Sequence, residues 1–89
     1  MRFTVIWLAD LEPALIDLYL RAKADGAADA VARATAEIDR RLTADPLRDG
    51  ESRDGQVRIL IELPLSVDYE LAVDGRTVVV SAVRYHRRR

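Results

Sequence analysis

The chain has 89 residues and a formal net charge of -1, and 49% of its residues are apolar while 33% are charged. This length suffices for one small globular domain, residues 1–89, and is too short to enclose a deep active site. The balanced charge excludes broad electrostatic binding to nucleic acid, and the absence of cysteine excludes disulfides, thiolate metal sites and a cysteine nucleophile.

The N-terminal apolar segment does not have the form of a signal sequence. Asp10 and Glu12 interrupt it early, and no later segment approaches the length of a membrane span. We therefore expect a cytoplasmic protein that makes no contact with a membrane. The sequence predicts neither a metal nor a cofactor.

The first two elements are predicted to be a strand and a helix. Residues 3–8 are β-branched and aromatic, and their alternation places Trp7 and every second residue before it on one face. Asp10 has the position of an N-cap for a helix over residues 11–24. The apolar stripe of this helix consists of Leu11, Leu15, Leu18, Tyr19 and Ala22.

A second helix is predicted over residues 27–42, after the break at Asp25 and Gly26. Its alanine-rich face suits close packing and leaves self-association of the chain open. The short connection predicts an antiparallel helical hairpin. Residues 45–56 are predicted to be a polar loop. The apolar stripe of the second helix consists of Val31, Thr35, Ile38 and Leu42.

Three strands are predicted over residues 57–63, 67–73 and 77–85, where apolar residues alternate with others. Asp74 and Gly75 predict a two-residue hairpin between the last two strands. The order β-α-α-β-β-β then predicts an α+β domain, in which the helical hairpin packs on a curved, mainly antiparallel four-stranded sheet.

Charged residues are expected on the sheet face away from the helices, namely Arg58, Glu62, Asp68 and Glu70. Asp68 and Glu70 show no sign of a catalytic carboxylate pair. We therefore expect them to form ion pairs with Arg58 or Arg76 on neighbouring strands.

The end of the chain is the strongest candidate for a functional site. Four arginines, the single histidine and Tyr85 lie within the last six residues of a chain whose net charge is negative. Such a local cationic group suits a phosphate or a carboxylate ligand. Arg88 and Arg89 fit equally well a solvated tail beside a sheet edge.

Several motifs are distributed along nearly the whole chain, namely Trp7, residues 37–42 with 45–46, residues 51–53, Arg58, residues 67–71 and residues 82–87. Together these motifs resemble the RelE/ParE superfamily, the toxins of bacterial type II toxin-antitoxin modules, often called plasmid stabilisation proteins. The resemblance implies growth inhibition and a cognate antitoxin that lays a helix or an extended segment on the toxin.

RelE-like members of the superfamily are enzymes that cut messenger RNA on the ribosome. For this branch the resemblance implies catalytic roles for Arg58, Arg84, His86 and Arg87, with the arginines on phosphate and the histidine as acid or base. It implies target-binding roles for Arg53, Tyr69 and Tyr85, although the register of Tyr69 with apolar neighbours also fits a core position.

ParE-like members instead bind DNA gyrase without cleaving anything, and the sequence favours this branch. Ser66 or Val67 stands where RNA-cleaving relatives carry an arginine, and the acidic Asp68 follows. Lys23 is the single lysine of the chain. An inert binding or oligomerisation module with the same fold is the third alternative.

Overall fold

A computed structural model describes residues 2–49, 51–54 and 56–87, with the side chains of residues 48, 49 and 51–54 outside the description. The elements, in chain order, are β1 (Thr4–Trp7), a 3-10 helix (Ala9–Leu11), α1 (Glu12–Ala24), α2 (Ala28–Ala44), α3 (Pro46–Asp49), β2 (Glu51–Asp54), β3 (Val57–Glu62), β4 (Leu65–Leu71) and β5 (Thr77–Tyr85).

The strands form one sheet in the order β1-β5-β4-β3-β2, with α1 and α2 packed against it. β1 runs parallel to β5, while the β5-β4, β4-β3 and β3-β2 pairs are antiparallel. The predicted α+β class, helical hairpin and mainly antiparallel sheet are confirmed.

The segment predicted as a loop over residues 45–56 is more ordered than its sequence indicates. Pro46–Asp49 forms the short helix α3, and Glu51–Asp54 forms β2, which pairs with the outer edge of β3. The prediction of a polar loop over the whole of residues 45–56 is therefore wrong, and β2 adds a fifth strand to the four predicted ones. The polar residues of β2 carry no alternation, because this strand owes its conformation to the backbone of β3.

The boundaries of α1 show one confirmed and one wrong prediction. Asp10 lies within the 3-10 helix, and α1 starts after Leu11 without a side-chain cap, so the predicted N-cap is wrong. The predicted break is confirmed, since Gly26 adopts a φ of 72°. The Ala27 amide donates to the Ala22 carbonyl and the Gly26 amide to that of Lys23, which completes a Schellman C-cap.

The connection between β4 and β5 is longer than the predicted two-residue hairpin. β4 ends at Leu71 and β5 begins at Thr77. The Asp74 carboxylate accepts hydrogen bonds from the amides of Arg76 and Thr77, at 2.8 and 3.0 Å, and from the Thr77 hydroxyl. The side chain of Asp74 thus closes a five-residue turn over residues 72–76.

The core lies between the helical hairpin and the facing side of the sheet. Phe3, Val5 and Trp7 pack against it from β1, as predicted. Tyr19, expected in the stripe of α1, is 44% exposed. The buried apolar residues are Leu11, Leu18, Ala22, Val31, Ala34, Ile38, Leu42, Leu60, Leu65, Val67, Tyr69, Val78 and Val80.

The predicted distribution of charges over the sheet is half wrong. Arg58 pairs in register with the buried Tyr69, and Glu62 forms a 2.9 Å salt bridge with Arg41 of α2, so both lie on the helix side. Asp68 and Glu70 lie on the opposite face. Each even-numbered residue of β3 faces an odd-numbered residue of β4, and this register is invisible in the alternation of either strand alone.

Candidate functional site

The last residues of β5 alternate between the two faces of the sheet. Arg84 pairs in register with Ser66 on the face away from the helices, which we call the open face, and His86 follows on the same side. Tyr85 and Arg87 point to the helix side, where both contact Asp25 at the end of α1. The C-terminal residues that sequence places together therefore divide into two groups.

An open-face cluster consists of Ser66, Asp68, Arg84 and His86. The Arg84 guanidinium donates to both oxygens of Asp68, with Nη2 at 2.5 Å from Oδ1 and Nη1 at 3.4 Å from Oδ2. The buried Ser66 hydroxyl lies 2.7 Å from Nε2 of His86. The His86 amide donates to the Pro64 carbonyl at 2.7 Å, which ties the chain end to the β3-β4 turn.

The helix-side group, here called the clasp, joins Asp25 to Tyr85 and Arg87. Oδ2 of Asp25 accepts from the Tyr85 hydroxyl at 2.8 Å and from Nε of Arg87 at 3.0 Å. The Tyr85 hydrogen bond, and then Arg87, lower the pKa of Asp25, while the bond to Asp25 raises the pKa of Tyr85. The Arg21 guanidinium lies 6.0 Å from the centre of the Tyr85 ring.

Arg58 and Tyr69 converge on a third place, the backbone of α3. The buried Tyr69 hydroxyl donates to the Pro46 carbonyl, and Nη1 of Arg58 donates to the Leu47 carbonyl at 3.3 Å. Both contacts fasten α3 to the sheet. Of the proposed target-binding residues, Tyr69 is thus a core residue with its polar atom satisfied, and the side chain of Arg53 lies outside the described residues.

The predicted site residues are therefore not assembled into one site. Arg84 and His86 share the open face, Arg87 and Tyr85 belong to the clasp, and Arg58 belongs to the α3 contact. The expected ion pairs of Asp68 with Arg58 or Arg76 are replaced by the pair with Arg84. Arg88 and Arg89 lie outside the described residues.

Sequence reasoning missed two partners, Ser66 and Asp25. The hairpin order of β4 and β5 contains a signal for Ser66, because the last residues of β5 must return alongside the first residues of β4. No pattern points to Asp25, which is 60 residues away from Tyr85 in the chain. In the sequence, Asp25 is simply the residue before Gly26, the glycine that ends the helix.

The polar side chains of the open-face cluster are bound to one another in pairs, Arg84 with Asp68 and His86 with Ser66. The Asp68 carboxylate, whose side chain is 15% exposed, balances the charge of Arg84, whose side chain is 37% exposed. His86 presents an exposed imidazole held by Ser66. The cluster can bind a polar partner through these groups, but its arginine is already committed to a carboxylate.

No helix within residues 2–49, 51–54 and 56–87 is long and apolar enough to cross a membrane. Neither a family profile nor a curated protein sequence matches this chain. Among solved structures, a chain of the toxin-antitoxin complex RelBE2 from Mycobacterium tuberculosis superposes with a TM-score of 0.72 at 21% identity, over 98% of this chain and 100% of the other. Together with the element order and sheet topology above, this superposition shows that the chain has the same fold as that chain of the RelBE2 complex.

Proposed function

We propose that the protein is the toxin of a type II toxin-antitoxin module and that it inhibits growth by binding its target without cleaving it, as ParE-like toxins bind DNA gyrase. The fold supports the first half of the proposal, since the structural neighbour is a toxin-antitoxin complex. The observation that carries the second half is the commitment of Arg84 to Asp68 and of Arg87 to Asp25, on opposite faces of the sheet.

Cleavage of RNA through the 2′-hydroxyl requires a base for that hydroxyl, an acid for the departing oxygen and cations beside the phosphorane. The three candidate arginines lie in three different surroundings, and none is aimed with another at a common point. A phosphate on the open face would also meet the carboxylate of Asp68. Binding to a protein target places no such demand on convergent cations.

The partners follow from the same proposal. A cognate antitoxin neutralises the toxin, and the fold offers it the sheet edge at β1 and the outer surfaces of α1 and α2. The target is DNA gyrase, and the place of action is the cytoplasm. Co-expression with the product of a neighbouring antitoxin gene and recovery of a stable complex would support this part independently of the target.

A second function, RelE-like cleavage of messenger RNA on the ribosome, is favoured by one observation. His86 is exposed on the open face, its Nε2 is held by Ser66, and the guanidinium of Arg84 lies on the same face. An imidazole can act as the acid or the base and a guanidinium can face the phosphorane, so these two residues supply part of what such a reaction needs. In this case the target would be ribosome-bound messenger RNA.

Induced expression in a bacterial host separates these functions. We expect growth arrest with relaxed plasmid DNA and intact transcripts from the wild-type protein, and the same arrest from His86→Gln, which retains a polar side chain of similar length. Arg76→Ala, which changes an exposed side chain at the opposite end of β5 from His86, serves as the control for a substitution outside the open-face cluster.

The opposite outcomes are equally distinct. Cut transcripts that disappear in His86→Gln would assign the RNase function to the open-face cluster. Normal growth with a folded wild-type protein, verified by circular dichroism and by recovery from the soluble fraction, would leave the inert binding module as the surviving alternative.

A further inference from the structure

The outer surface of α1 carries an apolar groove that the fold leaves uncovered. Ile16 is 56% exposed, Tyr19 44% and Leu20 64%, on a helix whose other side supplies Leu18 and Ala22 to the core. The groove has a volume of about 330 Å³ and is lined by Glu12, Leu15, Ile16, Tyr19, Leu20, Lys23 and Ala28. α1 is thus apolar on two sides, and the second side has no counterpart within the described chain.

The six groove residues of α1 are arranged symmetrically along the helix. Leu15 and Leu20 are equally far from its midpoint between residues 17 and 18, as are Ile16 and Tyr19. When two copies of α1 pack antiparallel across a two-fold axis at this midpoint, Leu15 of each copy meets Leu20 of the other, and Ile16 meets Tyr19. Every apolar residue of α1 in the groove then has an apolar counterpart.

The charges at the ends of the groove follow the same symmetry. Glu12 and Lys23 are also equidistant from the midpoint, so the antiparallel arrangement places each glutamate opposite a lysine. In residues 2–49, 51–54 and 56–87, neither of these exposed side chains forms a salt bridge. Both remain available for a partner molecule.

We propose that α1 is a self-association surface and that its occupant is α1 of a second copy of this chain. Any helical stripe has symmetric positions, so what favours a second copy is the residues that occupy them. Apolar residues stand opposite apolar residues, and glutamate stands opposite lysine, as an isologous interface requires. The proposal is independent of the toxin function, because it rests on α1 alone and uses no residue of the open-face cluster.

The size of the groove sets the strength of the dimer. A helix of 13 residues is about 20 Å long, so this contact buries less than the roughly 800 Å² per partner of a standard stable interface. We therefore expect a dimer that dissociates on dilution, with a Kd between about 10 μM and about 1 mM. Antitoxin binding to the same groove would compete with it.

Sedimentation equilibrium across that concentration range tests the inference. Leu20→Glu places a carboxylate against the partner's Leu15, and we expect it to weaken the dimer by at least about tenfold. The matched control is Ala14→Glu, which adds the same charge to an exposed position of α1 outside the groove and should leave the dimer unchanged.

Charge reversal tests the antiparallel register itself. Glu12→Lys and Lys23→Glu each place like charges at both ends of the interface, so each variant alone should dimerise several-fold more weakly than the wild type. Mixing the two variants should restore association, because in the heterodimer the two lysines of one copy face the two glutamates of the other. Circular dichroism on each variant verifies that α1 remains folded.

Three results would overturn the inference. These are a monomer at all concentrations up to about 1 mM, equal weakening by Ala14→Glu and Leu20→Glu, and a mixture of charge variants that associates no better than its components. A monomer whose Leu20→Glu variant also loses its antitoxin would assign the groove to the antitoxin instead. None of these results bears on whether the protein arrests growth.

Discussion

The two faces of the sheet at the end of β5 are built from alternate residues of the same short segment, yet they differ in what those residues do. On the helix side, Tyr85 and Arg87 bind Asp25 of α1, and Tyr69 of the neighbouring strand binds α3. On the open face, Arg84 and His86 bind β4 and the β3-β4 turn. The helix side therefore joins the sheet to α1 and α3, whereas the contacts of the open face join neighbouring strands of the sheet to each other.

The largest expected effect is on the helix side, at Tyr69. Replacing this buried ring by alanine leaves a cavity and an unpaired Pro46 carbonyl, and we expect the free energy of unfolding to fall by about 3–5 kcal/mol. Urea denaturation measures it. Tyr69→Phe, which removes the hydroxyl alone, should cost about 1–2 kcal/mol. A loss below about 1 kcal/mol for the alanine variant would contradict the anchoring role.

On the open face, we expect a substitution to lower the free energy of unfolding because it removes a charged partner, and not because it removes packing. Arg84→Ala leaves the Asp68 carboxylate, 15% exposed, without its bidentate partner, and we expect a loss of about 1–2 kcal/mol. The Arg84→Ala, Asp68→Ala double variant should recover part of that loss, since it also removes the carboxylate whose charge Arg84 balanced. A double-mutant cycle by urea denaturation measures the coupling. Strictly additive losses would show that the pair is solvated and contributes nothing.

The smallest expected effect is the pH dependence of the clasp. The pKa of Asp25 is held below its ordinary value of 3.8 by the Tyr85 hydrogen bond and by Arg87. A lowered pKa in the folded state stabilises the protein above the unfolded-state value, and this contribution is lost as the pH falls through the folded-state value. The wild type should therefore lose stability below about pH 4 more steeply than Asp25→Asn.

Acid titration monitored by circular dichroism compares the two proteins. The carboxylates of Glu37 and Asp74, whose pKa values are also lowered, titrate alike in both and cancel in the difference. Identical acid profiles would mean that the clasp contributes nothing to folding. Tyr85→Phe, which removes the main cause of the shift, should behave like Asp25→Asn.

Several helices and strands could be predicted because the apolar periodicity that indicates each of them lies within a single segment of the chain. The stripe of α2 and the alternation of β4 and β5 match the observed burial, and Gly26 marks a backbone conformation that other residues avoid. The alternation of β3 predicted the strand but not its buried side, because Leu60 is buried while Ile61 is 55% exposed. β2 and α3 escaped detection because their polar residues have no such pattern. β2 is held by its pairing with the edge of β3, and α3 is held by the hydrogen bond from the Tyr69 hydroxyl to the Pro46 carbonyl.

The candidate site was predicted less well than the fold, for a related reason. Sequence proximity grouped Arg84 with Arg87, but the two-residue period of a strand sends side chains three positions apart to opposite faces. The family resemblance added Arg58 to that group, whereas the register with β4 places it beside Tyr69. Two residues of one strand lie on the same face only when an even number of positions separates them. Residues of different strands share a site only when the pairing register places them side by side.

The sequence by itself determined the α+β class, the helical hairpin, the approximate positions of four strands and the composition of the C-terminal segment, because these depend on local period and on burial. β4 lies at Leu65–Leu71, two residues earlier than the predicted range 67–73. The tertiary structure alone decided that β1 lies beside β5, that Asp25 receives Tyr85 and Arg87, and that Asp68 balances Arg84. These contacts join residues that are distant in the chain. Their partners are chosen by strand order and register, which no single segment encodes.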